Sequence, residues 1–448
     1  MPQSPNSELR SPISHHPIDI LRFNTCGSVD DGKSTLIGRL LYDSKNLMED
    51  QLEALERSAD ITGGGQINLA NLTDGLRAER EQGITIDVAY RYFATPRRKF
   101  IVADTPGHVQ YTRNMVTGAS SANLSIVLVD ARAGVIEQSR RHTYIASLLR
   151  IPHLVIAVNK MDLVDWSEER FLEIRDTFEE FLPRLDMKDV KFVPISALNG
   201  DNVVEPSKLT PWFCGPTLLG HLETVHIASD WNLNGFRLPV QWVNRPNNPR
   251  DPRWHDFRGL SGQIAGGIVK VGQKVMALPS GILSTVKEIW TYNGSVAEAF
   301  CPQSITLVLD HDLDASRGDM IIGPENLPGM STELNAKVCW MSQRPLQAGK
   351  KYFLKHTTHT VQAIVTSLEG RINLDTFDLE PNPSELDIND LGEIRLRAAK
   401  PLIFDGYASN RLTGSFILIE QGTNATVGAG MLLPPSELVK PDYDDFTI

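Results

Sequence analysis

The segment 27–34, Gly-Ser-Val-Asp-Asp-Gly-Lys-Ser, constrains the possible folds of this 448-residue chain more than any other. It matches the pattern G-x-x-x-x-G-K-[ST] in full, and it lies between an apolar run, Ile20–Cys26, and a run with helical character, residues 35–41. Glycines in such a loop let successive backbone N–H groups approach phosphate oxygens. The segment therefore predicts a phosphate-binding loop, with Lys33 on the β- and γ-phosphates of a nucleotide and Ser34 on Mg²⁺.

A second segment, Asp104-Thr-Pro-Gly-His, follows the apolar run 100–103 and is expected to face the same phosphates. A carboxylate at the end of a strand beside the phosphate-loop strand can hold Mg²⁺, which is the role predicted for Asp104. The backbone N–H of Gly107 can approach the γ-phosphate and lose that contact after hydrolysis. His108 can orient the attacking water by its position rather than by removing a proton, and a surface histidine is the alternative interpretation.

Two further segments predict which base is bound. Asn159-Lys-Met-Asp ends another apolar run, and the Asp162 carboxylate can accept hydrogen bonds from N1–H and the exocyclic amine of guanine. Adenine lacks that amine and presents an acceptor at N1, so a buried carboxylate would stay unpaired against it. Asn159 can bond to the base and brace the phosphate loop, while the Lys160 stem can cover the base face. In Ser-Ala-Leu, 196–198, Ala197 can present its N–H to guanine O6.

The charged segment 79–86, Glu-Arg-Glu-Gln-Gly-Ile-Thr-Ile, lies between the phosphate loop and Asp104, where a mobile switch belongs. Thr85 can close the second Mg²⁺ position while γ-phosphate is present and release it afterwards. Without its surroundings this stretch would be interpreted as the exposed end of a charged helix. Together the four motifs predict a GTPase that binds Mg²⁺ and GTP.

These motifs define one set of expected contacts. The residues expected to bind the nucleotide are Gly27, Ser28, Val29, Asp30, Asp31, Gly32, Lys33, Ser34, Thr35, Asp104, Thr105, Pro106, Gly107, His108, Asn159, Lys160, Met161, Asp162, Ser196, Ala197 and Leu198. The expected Mg²⁺ ligands are Ser34, Thr85 and Asp104, and the residues expected to act in catalysis are His108, Lys33, Thr85 and Gly107. The pattern does not explain why two acids, Asp30 and Asp31, stand inside a phosphate loop.

Strand-like and helical runs alternate from residue 19 to about residue 230, which predicts a mostly parallel sheet covered on both faces. The strand candidates are residues 20–26, 100–103, 124–130, 153–159 and 191–195. One helix carries apolar residues at helical spacing, namely Phe171, Ile174, Phe178 and Phe181. Asp165, three residues before Glu168, indicates that this helix begins with a capping box.

After residue 231 the chain changes to short segments rich in Val, Ile and Gly, separated by turn residues. Such segments are typical of small β-barrels or sandwiches, and we predict two barrels. The predicted fold is thus an α/β P-loop GTPase domain followed by two small β-barrel domains. Its expected parts are a flexible arm, 1–18, a GTP-binding domain, 19–230, β-barrel domains at 231–330 and 331–434, and a tail, 435–448.

Composition limits the partners and the compartment. The formal net charge is −11, from 55 acidic and 44 basic residues, which argues against a general nucleic-acid or anionic-membrane binder. The four cysteines stand far apart without a CxxC pair, which favours reduced thiols over disulfides or a zinc site. No apolar run approaches the ~18 residues of a membrane span, and residues 1–16 lack the apolar core of a signal peptide. We therefore expect a cytoplasmic protein.

The ensemble of motifs resembles the translation-factor class of GTPases, in which a GTP-binding domain precedes two β-barrels, over residues 19–429. Within that class, several stretches resemble the family of large GTPase subunits of bacterial sulfate adenylyltransferase, namely 28–40, 74–93, 103–115, 140–142 and 239–246. Elongation factors typically carry His or Ser where Asp31 stands here, and they lack the sequence that this chain has at residues 88–93.

The resemblance implies a smaller partner subunit that binds ATP and sulfate and forms adenylylsulfate and pyrophosphate, within a heterodimer or a larger assembly. GTP hydrolysis on the large subunit would drive this uphill reaction, the first step of sulfate assimilation. The chain has no second nucleotide motif, so adenylyl transfer is expected on the partner. The alternative function is a translation-factor-type GTPase that delivers aminoacyl-tRNA, because both classes use the same GTP chemistry.

Overall fold

The computed structural model describes residues 19–44, 69, 87–107, 111–185, 187, 189–227, 232–246, 257–373 and 376–434. Several predictions concern other parts of the chain. The arm 1–18, the segment 79–86 with Thr85, the residue His108 and the tail 435–448 lie outside the described residues, and what was expected of them stays a prediction.

A six-stranded sheet forms the centre of the N-terminal domain. Its strands are β1 (Ile20–Cys26), β2 (Ala89–Ala94), β3 (Lys99–Asp104), β4 (Leu124–Asp130), β5 (His153–Asn159) and β6 (Asp189–Pro194). They follow the order β2-β3-β1-β4-β5-β6, in which β2 is antiparallel to β3 and the other neighbours are parallel. All residues of β4 are buried, as a central strand covered on both faces requires. The carboxyl ends of β1, β3, β4 and β5 consequently meet at one edge of the sheet.

Helices cover this sheet. The described α-helices are α1 (Lys33–Asp43), α2 (Thr112–Ala119), α3 (Glu137–Leu148), α4 (Glu168–Phe181) and α5 (Leu218–Thr224), with short 3₁₀ helices at Met161–Val164 and Leu182–Arg184. None of the helices in the described part of the chain has the length and apolar character that a membrane span requires.

Helix α4 buries the predicted apolar stripe, Phe171, Ile174, Phe178 and Phe181. Its predicted start is wrong. Ser167 caps the helix, because its side chain accepts the Arg170 N–H at 3.2 Å, whereas Asp165 sits in the left-handed region at φ +51°. Aspartate and serine are both favourable N-cap residues, so the residue type alone does not identify the cap. The turn before the helix places Ser167, not Asp165, at the first turn.

From residue 237 onward the described chain is built from strands. The second domain contains β7 (Arg237–Pro239), β8 (Trp242–Asn244), β9 (Gly259–Gln263), β10 (Ile268–Lys270), β11 (Lys274–Leu278), β12 (Ile282–Thr291), β13 (Gly294–Val296), β14 (Glu298–Phe300), β15 (Ser304–Leu309) and β16 (Met320–Ile322). Most of them pair in the order β7-β16-β11-β12-β15-β9-β8, with β13 on β12 and a separate pair β10-β14. The two ends of this order, β7 and β8, are two residues apart in the chain, and Arg237 of β7 also pairs with Gly266 after β9.

The third domain is a closed barrel. It contains β17 (Gly329–Trp340), β18 (Lys351–His356), β19 (His359–Ile372), β20 (Leu379–Pro381), β21 (Leu391–Phe404), β22 (Ser415–Ile419) and β23 (Thr426–Leu432). The order β18-β22-β23-β17-β21-β19 closes on itself through the pairing of β18 with β19, and β20 extends β19. The predicted plan of an α/β domain followed by two small β-domains is confirmed.

The first and third domains share one apolar core. The buried cluster of α2, α3 and α4 continues without interruption into the third domain, where its members are Cys339, Met341, Ile372, Leu391, Tyr407 and Met431. Phe377 adds a second contact, because its ring stacks on Tyr144 of α3 at 5.3 Å and tilts against Phe181 of α4 at 5.8 Å. The two domains are therefore held together by interior-like packing.

A loop of the third domain, residues 405–413, touches both other domains. Tyr407 Oη donates to the Leu149 carbonyl at 3.0 Å in the first domain. Asn410 Nδ2 donates to the Ala265 carbonyl at 3.0 Å in the second. We call this segment the junction loop.

The second domain is tied to the junction loop by one ion pair. Asp405 receives two bonds from Arg237, from Nε at 3.0 Å and from Nη2 at 3.0 Å. Both side chains are largely buried, with Arg237 3% exposed and Asp405 16% exposed. A two-pronged pair of this kind fixes orientation as well as distance.

We expect Arg237→Met to lower the free energy of unfolding by about 3–5 kcal/mol, because it leaves the buried Asp405 carboxylate without its cation. The measurement is urea unfolding followed by intrinsic fluorescence. Arg344→Met is the matched control, since the Arg344 side chain is 84% exposed in its pair with Glu420 and such pairs contribute about 0–1 kcal/mol. Equal losses in the two variants would contradict this account of the junction.

Candidate nucleotide-binding site

The phosphate loop joins β1 to α1 at the carboxyl edge of the sheet. Gly32 has φ +91°, and a Cβ at this position would lie 2.5 Å from Asn159 Nδ2, so both its conformation and its surroundings require glycine. Lys33, the first residue of α1, donates from Nζ to the carbonyls of Gly27 at 3.0 Å and Ser28 at 2.7 Å. The loop thus folds around the Lys33 ammonium, which is held by two of the loop's own carbonyls.

The two acids of the loop occupy different environments. Asp30 is exposed and has φ +68°, a left-handed conformation that aspartate tolerates better than most residues. Asp31 is only 5% exposed, and its Oδ2 accepts the Ser28 N–H at 2.5 Å. One acid therefore faces outward, and the other is folded into the back of the loop.

Asp104 lies beside the phosphate loop, as the last residue of β3 and opposite Thr25 in the strand register. Thr25 Oγ1 donates to Asp104 Oδ1 at 3.4 Å, and the aspartate is 2% exposed. Thr105 Oγ1 donates to the Thr25 carbonyl at 2.5 Å, which fixes the start of the second motif. Burial lowers the pKa of Lys33, and the negative charge of Asp104 opposes that shift. The lysine and the aspartate thus act on each other inside the site.

Gly107 brings the second motif against the first. A Cβ at this position would lie 2.5 Å from the Gly27 carbonyl oxygen and 2.6 Å from Lys33 Nζ. Any side chain would push the segment away from the lysine, so this close approach requires glycine. Pro106, its neighbour, is buried as well.

The Asn159 side chain links the phosphate loop to the segment 196–198. Its Nδ2 donates to the Asp31 carbonyl at 2.7 Å, and its Oδ1 accepts the Ala197 N–H at 2.9 Å. Asn159 is 3% exposed and ends β5, so the sheet determines where its amide lies. In this structure the Ala197 N–H is directed to Asn159, and its contact with guanine O6 stays a prediction.

Lys160 is held by an acid that the sequence analysis did not identify. Its Nζ lies 2.9 Å from Asp130 Oδ2, and Arg132 contacts the same carboxylate through Nη2 at 2.6 Å and Nε at 3.1 Å. Burial raises the pKa of Asp130, but hydrogen bonds from Arg132 and Lys160 outweigh it and leave the pKa well below its usual range. Asp130 ends β4 next to Asn159, and an acid at that position is the signal that could have revealed it.

Arg39 of α1 is the second residue that the sequence analysis missed. Its Nε donates to the Ala197 carbonyl at 3.2 Å, and its Nη2 donates to the Leu198 carbonyl. Ser196 in the same segment is fully buried and accepts the Asn199 N–H at 3.3 Å. Nothing in the local sequence around Arg39 indicates these contacts.

The remaining predicted residues lie around the same edge. Met161 is fully buried, Asp162 is partly buried in the short helix Met161–Val164, and Leu198 is 51% exposed. Val29, Ser34 and Thr35 are partly exposed, the last two in the first turn of α1. The structure therefore gathers every predicted nucleotide contact that falls within the described residues at one edge of the sheet.

The described residues fit Mg²⁺ in their donor chemistry. A hydroxyl in the first turn of α1, Ser34, and a carboxylate at the end of β3, Asp104, are hard oxygen donors of the kind that Mg²⁺ takes beside phosphates. The bound ion would neutralise charge that develops on the phosphates.

We expect Asn159→Ala to loosen two segments together, because it leaves the buried Asp31 carbonyl and Ala197 N–H without partners, at about 1–3 kcal/mol each. Hydrogen–deuterium exchange should then accelerate in peptides that cover residues 27–33 and 196–198. Asn199→Ala is the control, since that side chain is exposed in the same segment. Faster exchange in only one of the two segments would show that Asn159 does not link them.

Comparisons with known proteins agree with this geometry. The family described as Elongation factor Tu GTP binding domain matches residues 18–232, and the GTP-eEF1A C-terminal domain-like family matches residues 333–433.

Individual relatives are similar over nearly the whole chain. Sulfate adenylyltransferase subunit 1 of Bacteroides fragilis is 53% identical over 96% of this chain and 89% of its own length. The protein of the same name from Alteromonas mediterranea is 49% identical over 97% of this chain and 92% of its length. The bifunctional enzyme CysN/CysC of Mycobacterium tuberculosis is 55% identical over 92% of this chain and 67% of its length. The chain therefore belongs to the family of sulfate adenylyltransferase subunit 1, whose N-terminal part is a GTP-binding domain of the elongation factor Tu type.

Proposed function

We propose that this chain is the GTPase subunit of a sulfate adenylyltransferase, which couples GTP hydrolysis to the formation of adenylylsulfate and pyrophosphate from ATP and sulfate. One observation carries the proposal. Asn159 joins a phosphate loop to the segment 196–198, which is predicted to contact the base, in a chain about half identical to proteins named sulfate adenylyltransferase subunit 1. We propose 19–230, 231–330 and 331–434 as the limits of its three domains.

The geometry supports specific roles for the site residues. Lys33 would bind the β- and γ-phosphates after exchanging its two loop carbonyls for phosphate oxygens, and Gly107, next to it, would report on the γ-phosphate. Ser34 and Asp104 would hold Mg²⁺, and Asp162 would read the guanine edge. Two further roles are proposed from the sequence alone, because the residues lie outside the described part of the chain. Thr85 would be a further Mg²⁺ ligand, and His108 would orient the attacking water.

The partner is a smaller subunit that binds ATP and sulfate and carries out adenylyl transfer. The reaction on the partner is uphill, so hydrolysis here must be coupled to it through a difference between two states of this chain. Delivery of aminoacyl-tRNA is not favoured, because the relatives at about 50% identity carry the name of the transferase subunit.

We expect Asp162→Asn to weaken GTP binding by about 100-fold or more and to shift preference toward xanthosine triphosphate. The side-chain amide would place an N–H donor opposite the exocyclic amine of guanine, which is also a donor. Xanthine carries a carbonyl in place of that amine and can accept the new hydrogen bond. Competition titrations with GTP, XTP, ITP and ATP measure the change. Asp165→Asn, a substitution at an exposed position three residues away, should keep the wild-type order. Unchanged selectivity in Asp162→Asn would exclude it as the base-reading residue.

The function is tested on the complex purified with its small subunit. GTP hydrolysis should rise when ATP and sulfate are both present, and adenylylsulfate yield should fall with a non-hydrolysable GTP analogue. Lys33→Ala in the large subunit should remove both effects. A complex that forms adenylylsulfate to the same extent with and without GTP would overturn the coupling.

A further inference from the structure

The Asp31 carboxylate is a buried acidic group inside the phosphate loop. Its Oδ2 accepts the Ser28 N–H at 2.5 Å, and a Cβ on Gly27 would lie 3.0 Å from the same oxygen. The Asp31 N–H in turn points to the Ser28 carbonyl at 3.4 Å. The side chain thus closes a short turn inside the loop and holds its first residues against the start of α1.

The Asp31 carboxylate forms no ion pair with any residue that the structure describes. The ammonium of Lys33, whose charge acts on this carboxylate, donates to two loop carbonyls instead. Burial raises the pKa of Asp31; the positive charges of Lys33 and Lys160 lower it, and the negative charge of Asp130 adds to the rise. Asp31 therefore feels the charges of Lys33 and Lys160 but forms an ion pair with neither of them in the described structure.

We propose that Asp31 sets the nucleotide affinity of this site, by bracing the loop through its oxygen and by weakening phosphate binding through its charge. The inference rests on the proposed function, since it presumes that the loop binds GTP and GDP. Its consequence is a site that releases GDP readily, because changes in affinity at one site appear mainly in the dissociation rate.

The two contributions are separable by chemistry. A carboxylate beside a bound phosphate repels it, and in a partly buried site that repulsion is weakly screened. Asparagine has nearly the same shape as aspartate and retains an oxygen that can accept the Ser28 N–H, but it carries no charge. Alanine removes both the oxygen and the charge. A purely structural role predicts that alanine weakens nucleotide binding and that asparagine leaves it nearly unchanged, whereas the charge effect predicts that asparagine binds nucleotide more tightly than wild type.

The experiment measures the Kd and dissociation rate of a fluorescent GDP analogue in excess Mg²⁺ for the full chain. We expect Asp31→Asn to bind GDP about tenfold more tightly and release it correspondingly more slowly. Asp31→Ala should bind more weakly than Asp31→Asn, because the Ser28 N–H loses its acceptor. Asp31→Ser, which keeps a small neutral acceptor, provides a second test if the asparagine variant does not fold. Asp176→Asn, the same change on the exposed face of α4, is the control for net charge and should match wild type.

The outcomes separate this inference from the proposed function. If the wild-type chain binds no guanine nucleotide, the proposed function itself fails. If wild type binds GDP but the folded asparagine and serine variants bind it equally or more weakly, Asp31 is only a brace and the inference is overturned. Tighter binding in both neutral variants, with slower release, supports it.

Discussion

The site depends on one buried amide. Asn159 donates to the phosphate loop and accepts from the segment 196–198, so one side chain fixes the distance between these two segments. Its own position comes from β5, whose neighbours β4 and β6 hold it on both sides. Removing either bond would leave a buried backbone group unpaired, which costs more than the bond itself contributes. The position of the Asn159 amide is thus determined by the parallel sheet rather than by the loops around it.

Much of the first domain follows from local pattern. The bounds of β1, β4 and β5 agree with the apolar runs, because a buried parallel strand needs a continuous apolar segment and ends where polar residues begin. Arg39 could not be predicted in this way, because it reaches the segment 196–198 across 158 residues of sequence. Asp130 is an intermediate case, because an acid at the end of an apolar run is visible in the sequence but its partners are not. Its role depends on the pairing of β4 with β5, which places it beside the residues that it orients.

The two β-domains show what short strands do and do not specify. Alternating burial along β19 and β21 indicates a barrel wall in the third domain, and the pairing of β18 with β19 completes it. The second domain has similar segments, but its ring is completed by one stretch of chain that pairs with β16 through β7 and with β9 through β8. Closure requires compatible strand lengths and stagger around the whole ring, and these depend on distant segments. Local sequence therefore gives the class of the domain but not the order in which its strands pair.

The apolar core that runs from α2, α3 and α4 into the third domain has a mechanical consequence. Sliding the two domains past each other would expose that surface to water at about 25 cal/mol per Å², a penalty that grows with every residue uncovered. If α2, α3 and α4 are displaced and this core is preserved, the closed barrel must therefore move with them as a rigid body. The second domain resists separation from the barrel for the same reason, because Leu278, Met320 and Ile322 pack against Ile403 beside the ion pair between Arg237 and Asp405.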